Sequence, residues 1–453
     1  MDLTTAKQRI DYLVFAAVVL VPFIFFPVGK NADYFYAPKV YALVVITAMF
    51  LFTLLLSTRS LNRFIKFDRI NLLLFLYFLL LLISLFFAHD IKMAILGRAY
   101  RVEGLITLTT YFLLFLAARA VALPEKKLFM GITISAALLS IYGIAQYYGF
   151  DPLPRDFIRG GWKVAFATFG NPNFFGSYLV LVIPVVLHQF IIGKKNIAGI
   201  GYALLIYALI CTLTRSAWVG IGTGLAAYGI LYGYFYNNFK QDILRIAVSL
   251  LITGLAIVVF NISAGNIFMS RVQSISHDAQ TVMKSGQKVS EDVINKSGAT
   301  ESGLARFYIW SKMIELIKEK PMTGYGIENL MEPFGEKFGS ESVSQRLGFG
   351  KISRPPDKAH NEYMNIAAST GIPSLLVYLV FIGLVMKAGW IRIRHSNAYV
   401  PLMAATIGYL AQAFFNISVA SVAYIFWVFL GLISGYDFDE AANDAGHLIR
   451  DEE

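Results

Sequence analysis

The sequence predicts an all-α polytopic membrane protein with about twelve transmembrane helices and a large helical external segment. Three observations predict it. Of the 453 residues, 57% are hydrophobic and only 15% charged, whereas soluble domains carry about 25% charged residues. Apolar runs of about 20 residues recur along most of the chain, each long enough to cross roughly 30 Å of hydrocarbon. Lys and Arg gather in alternate loops, as cytoplasmic loops require.

Spans are expected near 11–28, 38–57, 70–88, 104–122, 128–149, 175–193, 197–214, 216–236 and 243–263, then near 372–391, 398–416 and 420–437. The first lacks a small-residue cleavage site and is read as a retained span. The stretch 197–236 is nearly continuous: either two spans with a tight turn at Thr214–Ser216, or one broken span with a re-entrant piece. Gly220 and Gly224 form a small-xxx-small pair, which points to close helix packing. With a cytoplasmic N-terminus, the inner loops carry Arg59, Arg63, Lys66 and Arg69, then Lys126 and Lys127, Lys194 and Lys195, Lys240 and Arg245, and Lys387, Arg392 and Arg394. That orientation places 264–371 outside and the 438–453 tail in the cytoplasm. The domains are therefore 1–263 with nine spans, 264–371 as the external segment, and 372–437 with three more spans.

The external segment is too long for an idle connection. Residues 271–300 are polar and poor in aromatics, consistent with a mobile or loosely helical stretch. From Gly303, the spacing of Leu304, Phe307, Tyr308, Met313, Ile314 and Ile317 predicts an amphipathic helix ended by Pro321. "MTGYGIENL" reads as a glycine turn, and "HNEYMNIAAST" as a second short helix stopped by Gly371 and Pro373.

Chemistry is expected where charge departs from the orientation rule. Arg98, Arg101, Arg215 and Arg306 all fall on the predicted outer side. An Arg at a span centre costs about 2.5–3.5 kcal/mol on insertion scales, and less near an edge. Such residues either snorkel or pair structurally, or they form an anion site whose guanidinium forks match phosphate oxygens. Glu103, Glu301 and Glu362 are the carboxylates that could partner Arg215. His360, at the membrane edge of the external segment, has three readings: general base, metal ligand or satisfied interface residue. An unperturbed imidazole, with a pKa near 6.5, can accept a proton at neutral pH. Tyr363 would share its face on a helix. Among the six histidines none forms an H-x-x-x-H pair, and Cys211 is the single cysteine, so neither a metal site nor a disulfide framework is expected. Asn171 and Asn173 flank Pro172 before a span; they form a turn or bind sugar hydroxyls. "DFD" at Asp437–Asp439 reads as solvated tail charge. The net charge of +10 fits cytoplasmic loops and an anionic lipid substrate, and no nucleic-acid partner is expected.

The segments "TFGNPNFFGSYLVLVIP", "TRSAWVG", "GLARFYIW", "TGYGIENL" and "HNEYMNIAASTGIPSLLVYL", in this order, resemble the O-antigen ligase family and its relatives, the lipid-linked glycan polymerases and protein O-oligosaccharyltransferases. The resemblance implies a multispan GT-C-type glycosyltransferase of the bacterial cytoplasmic (inner) membrane. Its site would lie at the outer membrane–water boundary and work without cofactor or metal. The implied donor is a glycan on polyprenyl (undecaprenyl) pyrophosphate, and the acceptor is a lipid A core, another glycan repeat or a protein hydroxyl. It maps the family's span-edge arginine to Arg215, its outer-segment arginine to Arg306 and its essential histidine to His360; Arg98 and Arg101 match more loosely. A transporter or flippase of an anionic lipid is the reading from a different class, and it would call for inverted repeats that the sequence does not display.

Overall fold

The computed structural model describes residues 1–26, 35–57, 65–99, 101–121, 125–152, 163–236, 239–273, 303–338 and 355–436. The expected mobile stretch at 274–300, Glu301, the DFD motif and the tail lie outside the described residues.

The described chain is helical. Its elements are α1 (Leu3–Val19), a 3-10 turn (Val21–Phe23), α2 (Ala37–Leu56), α3 (Arg69–Leu85), α4 (Ile91–Leu96), α5 (Leu105–Arg119), α6 (Glu125–Tyr147), α7 (Pro172–Ile191), α8 (Asn196–Cys211) and α9 (Arg215–Tyr236). There follow α10 (Phe239–Ser263), α11 (Gly303–Glu319), α12 (Met331–Phe338), α13 (Glu362–Thr370), α14 (Ile372–Arg392), α15 (Tyr399–Ala413) and α16 (Ala423–Ile433). The expected spans have a helix at their centre except the first: expected near 11–28, it is instead α1, which ends at Val19 before a 3-10 turn where Pro22 has no amide to continue the helix. Five helices are long and apolar enough to cross a membrane: α2, α6, α7, α10 and α14, with α10 counted from Gln241 and α6 from Lys126. The apolar helices α3, α5, α8 and α16 are shorter. Two short helices, α4 and α12, of six and eight residues, are not among the expected elements.

The core is one continuous cluster centred on α7, which is buried all round. A helix that is apolar on every face belongs inside a bundle. Around it, α7, α9 and α15 pack closely through small residues. A Cβ at Gly220 would lie 2.9 Å from the Gly408 carbonyl, and one at Gly176 would lie 2.8 Å from the Ala217 Cβ. The small-xxx-small pair is thus a packing seam, and Gly408 is its partner on α15. The 197–236 stretch is two helices. The chain reverses at Thr212–Thr214, where Leu213 takes φ +53°, so Arg215 opens α9 at the bundle end.

Basic residues near helix ends tie neighbouring elements together. At one end, Arg119 holds Asp68 and Asn71 at the start of α3 and the Ser434 carbonyl after α16. Arg245 donates to the Phe190 carbonyl at the end of α7, at 2.7 Å. The opposite end carries the external segment. There α11, α12 and α13 enclose a small core of their own built on Tyr308, Met313, Leu316, Leu330 and Phe334.

That unit is docked by backbone. The Tyr325 and Gly326 amides donate to the Ala368 and Ser369 carbonyls at 3.0 and 2.8 Å, so the glycine turn lies directly on the last turn of α13. Gly324 takes φ +64°, and a Cβ there would sit 2.3 Å from the Ser369 carbonyl carbon. Only glycine fits. Asn329 ties the turn to the bundle: its Oδ1 accepts from the Asp90 amide at 2.7 Å, and its Nδ2 donates to the Asp90 carbonyl at 3.2 Å.

Candidate functional site

The loop from Arg98 to Glu103 carries three charged residues within six positions, and each grips the external segment. Arg98 holds both Glu332 carboxylate oxygens, at 2.8 and 2.9 Å, and donates to the Glu328 carbonyl. Arg101 grips Asp357 with its Nε and Nη2 at 2.8 and 3.2 Å. Glu103 accepts from the Lys358 ammonium, which also meets Glu328 at 2.9 Å. The three contacts form a ladder of ion pairs between bundle and external segment. Burial opposes ionisation of Asp357, but the Arg101 guanidinium outweighs it and holds the carboxyl well below its usual range. Burial would likewise lower Lys358, but Glu103 and Glu328 outweigh it and raise the ammonium. Glu103 is pushed up to about 7, by burial first and then by Glu362 and Glu328, against the pull of Lys358.

His360 follows immediately. It does not lie on a helix: Asn361 caps α13 by accepting from the Met364 amide at 3.0 Å, and α13 starts at Glu362. The histidine itself takes φ +51°, a left-handed conformation uncommon outside glycine. It therefore shares no helical face with Tyr363, contrary to the spacing argument. Tyr363 instead donates to the Leu410 carbonyl at 2.8 Å and packs near Phe414. The neighbours hold His360 tightly in place. Trp310 Nε1 donates to the Ala359 carbonyl at 3.0 Å, and Glu362 accepts from the Ser418 amide at 2.7 Å.

The imidazole is half-buried and pressed by cations. Burial lowers its pKa from 6.5 to about 4. Arg306 and Arg101 add to this, Asp357 opposes it, and Lys358 adds a little. The ring is neutral at pH 7. Arg306, on the first turn of α11, is lowered to about 10 by burial and by repulsion from Arg215, yet stays charged. The electrostatics thus connect three chain-distant residues, Arg215 to Arg306 to His360, at one end of the bundle. Two guanidiniums that feel each other's charge, one of them also acting on a neutral imidazole, suit an anion with two or more charges.

The remaining expected residues fall as follows. Asn171 accepts from the Asn173 amide at 2.8 Å and caps α7, so the turn reading describes its geometry. Asn173 stands on the first turn of α7, at the same end as Arg215; one turn on, Gly176 touches Thr214 and Ala217. Glu103 and Glu362, both considered as Arg215 partners, are engaged with Lys358 and with the Ser418 amide. Among the described residues no group of three His, Cys, Asp or Glu side chains is arranged to hold a metal ion. Sequence reasoning missed Asp357, Lys358, Glu328 and Glu332. The available signal was "PPDKAH", a carboxylate and a cation immediately before the histidine.

These features define a polytopic helical membrane protein with a cationic site at one end of its bundle. Residues 200–379 match the family model described as O-antigen ligase, a stretch that contains Arg215, Arg306, His360 and Tyr363. The chain is also similar to an uncharacterized protein of Haemophilus influenzae, 21% identical over 272 residues. That match covers 57% of this chain and 59% of the relative, so the chain spans less than two thirds of the relative's length.

Proposed function

We propose that this protein is a metal-independent, inverting membrane glycosyltransferase of the cytoplasmic membrane. It moves a glycan from polyprenyl pyrophosphate to an acceptor hydroxyl, as an O-antigen ligase does. The observation that supports this reading is that Arg215 acts electrostatically on Arg306 and Arg306 on His360, all three within the residues that match the O-antigen ligase family model. In the reaction, the acceptor oxygen attacks the anomeric carbon and the bond from that carbon to the phosphate oxygen breaks. The polyprenyl pyrophosphate leaves with the electron pair, and the acceptor proton passes to His360. The leaving group gains negative charge, which Arg215 and Arg306 stabilise. Attack opposite the leaving group inverts the centre.

With a cytoplasmic N-terminus, the nine spans expected before residue 264 would carry the site to the external face, where lipid and sugar of the donor meet their two phases. Polymerisation of lipid-linked repeats and transfer to protein use the same chemistry and differ in the acceptor. The test is purified protein in detergent with a polyprenyl-pyrophosphate glycan, chelator and three acceptors: lipid A core, a repeat unit and a Ser/Thr peptide. A covalent product in chelator supports the reading, and the productive acceptor sets the subgroup. Donor binding with no product from any acceptor would favour transport instead.

A further inference from the structure

We infer that Lys358 is a positioning residue for His360, acting as the pin that holds the histidine's backbone in its left-handed conformation at the bundle end. The inference rests on the reading of His360 as the acceptor-side base. His360 sits between two fixed points, each two residues away. On one side Lys358 is buried and bridges two elements, Glu103 before α5 and Glu328 in the glycine-turn segment. On the other, Glu362 is held by the Ser418 amide. Between them the backbone adopts φ +51° at a residue with a Cβ. Such a conformation is strained and persists only where its surroundings over-determine it. Lys358 is the constraint nearest His360 that carries two ion pairs at once, one to the bundle side and one to the glycine-turn segment.

Lys358 also settles the charge there. It lines a cavity of about 70 Å³ with Glu103, Glu328 and Glu362, and one Glu328 carboxylate oxygen is buried without a hydrogen-bond partner. Two carboxylates thus hold one ammonium, with Glu362 lining the same cavity. Without it, like charges would drive Glu328 and Glu103 apart and release the 357–361 strand. The Lys358 ammonium is held by Glu103 and Glu328. The groups facing His360 are Arg306 from α11, Arg101 from the loop before α5, and Asp357 and Lys358 from its own strand.

The experiment compares Lys358→Met, Lys358→Arg and Glu103→Gln with wild type in the full chain, measuring kcat, donor KM and the pH profile of kcat/KM. His360→Ala is the control for the underlying reading. The expected result for Lys358→Met is a loss in kcat of about 10–100-fold, as a small misplacement gives, with donor KM nearly unchanged. The acid limb of its profile should move to higher pH, since a cation facing the imidazole is gone. Lys358→Arg should recover part of kcat. Glu103→Gln, which keeps Lys358 but loosens it, should show a smaller loss of the same kind and serves as the readout if Lys358→Met does not fold. Wild-type kcat and an unmoved limb in both variants, with His360→Ala inactive, would overturn the positioning role and leave the function standing. A raised donor KM at unchanged kcat would overturn it too, making Lys358 a donor contact. An active His360→Ala would remove the function reading and this inference together.

Discussion

At the residue scale the account turns on a neutral histidine among cations. Its pKa of about 4 has a kinetic consequence with a definite sign. The protonated ring cannot accept a proton, so activity falls as pH drops through the His360 pKa. The kcat/KM profile, which reports the free enzyme, should stay level below pH 6.5 and fall only on approach to about 4. Bound donor brings negative charge against Arg306 and Arg215. It relieves the field that depresses His360, so the limb in kcat should lie above the limb in kcat/KM. A kcat/KM limb at about 6.5 would show that the histidine feels neither burial nor its cations. The arginines should behave differently from the histidine. Arg306→Ala and Arg215→Ala should weaken donor handling, and Lys at either position should restore only part, since it keeps the charge and loses the fork. Full rescue by Lys would remove the bidentate phosphate contact from the account.

This is also the scale at which the sequence was least transparent. Arg98 and Arg101 stood out as cations on the wrong side of the charge rule, but their partners Glu332 and Asp357 lie more than two hundred positions away. Nothing local marks such pairs. His360 was found, but its conformation was not, because a helical reading that began at the histidine missed the Asn361 cap. The cap was legible: an Asn immediately before Glu and an apolar period is a helix start.

At the element scale most of the architecture could be read directly, because apolar runs of span length have few alternatives. The α11 and α13 boundaries followed from Gly303, Pro321 and Gly371. By contrast, α4 and α12 are only six and eight residues long, so that even the helical spacing of Met331, Phe334 and Phe338 covers too few turns to stand out from a loop. The glycine turn makes a clear prediction. Gly324→Ala places a Cβ against Ser369 at a positive φ, so the variant should lose about 1–3 kcal/mol of stability, read as a lower unfolding midpoint in detergent. Gly383→Ala on α14 is the control. No atom lies within 4 Å of its added Cβ, so its midpoint should not fall. Equal midpoints for the two variants would mean that the turn is not docked on α13 as described. Gly408→Leu should likewise separate α15 from α9 and lower the midpoint.

At the scale of the whole molecule the claim is orientation. Lys194 and Lys318 are both exposed and belong to opposite ends of the bundle. Cys211 is buried, so the native chain offers little background to a thiol reagent. In intact cells, a membrane-impermeant maleimide should label Lys318→Cys, and should label Lys194→Cys only after permeabilisation. The reverse pattern would place the site in the cytoplasm and contradict a lipid-linked donor presented from outside.

The central claim is that the arginines hold the donor while His360 takes the acceptor proton. Single-turnover transfer from pre-bound polyprenyl-pyrophosphate glycan tests it most directly, with wild type, His360→Ala and Arg306→Ala compared at saturating acceptor. The account predicts that His360→Ala binds donor like wild type and transfers about 10²–10⁴-fold more slowly, while Arg306→Ala binds donor poorly. Wild-type transfer from the His360→Ala complex, or loss of donor binding in His360→Ala with normal transfer of whatever remains bound, would contradict it.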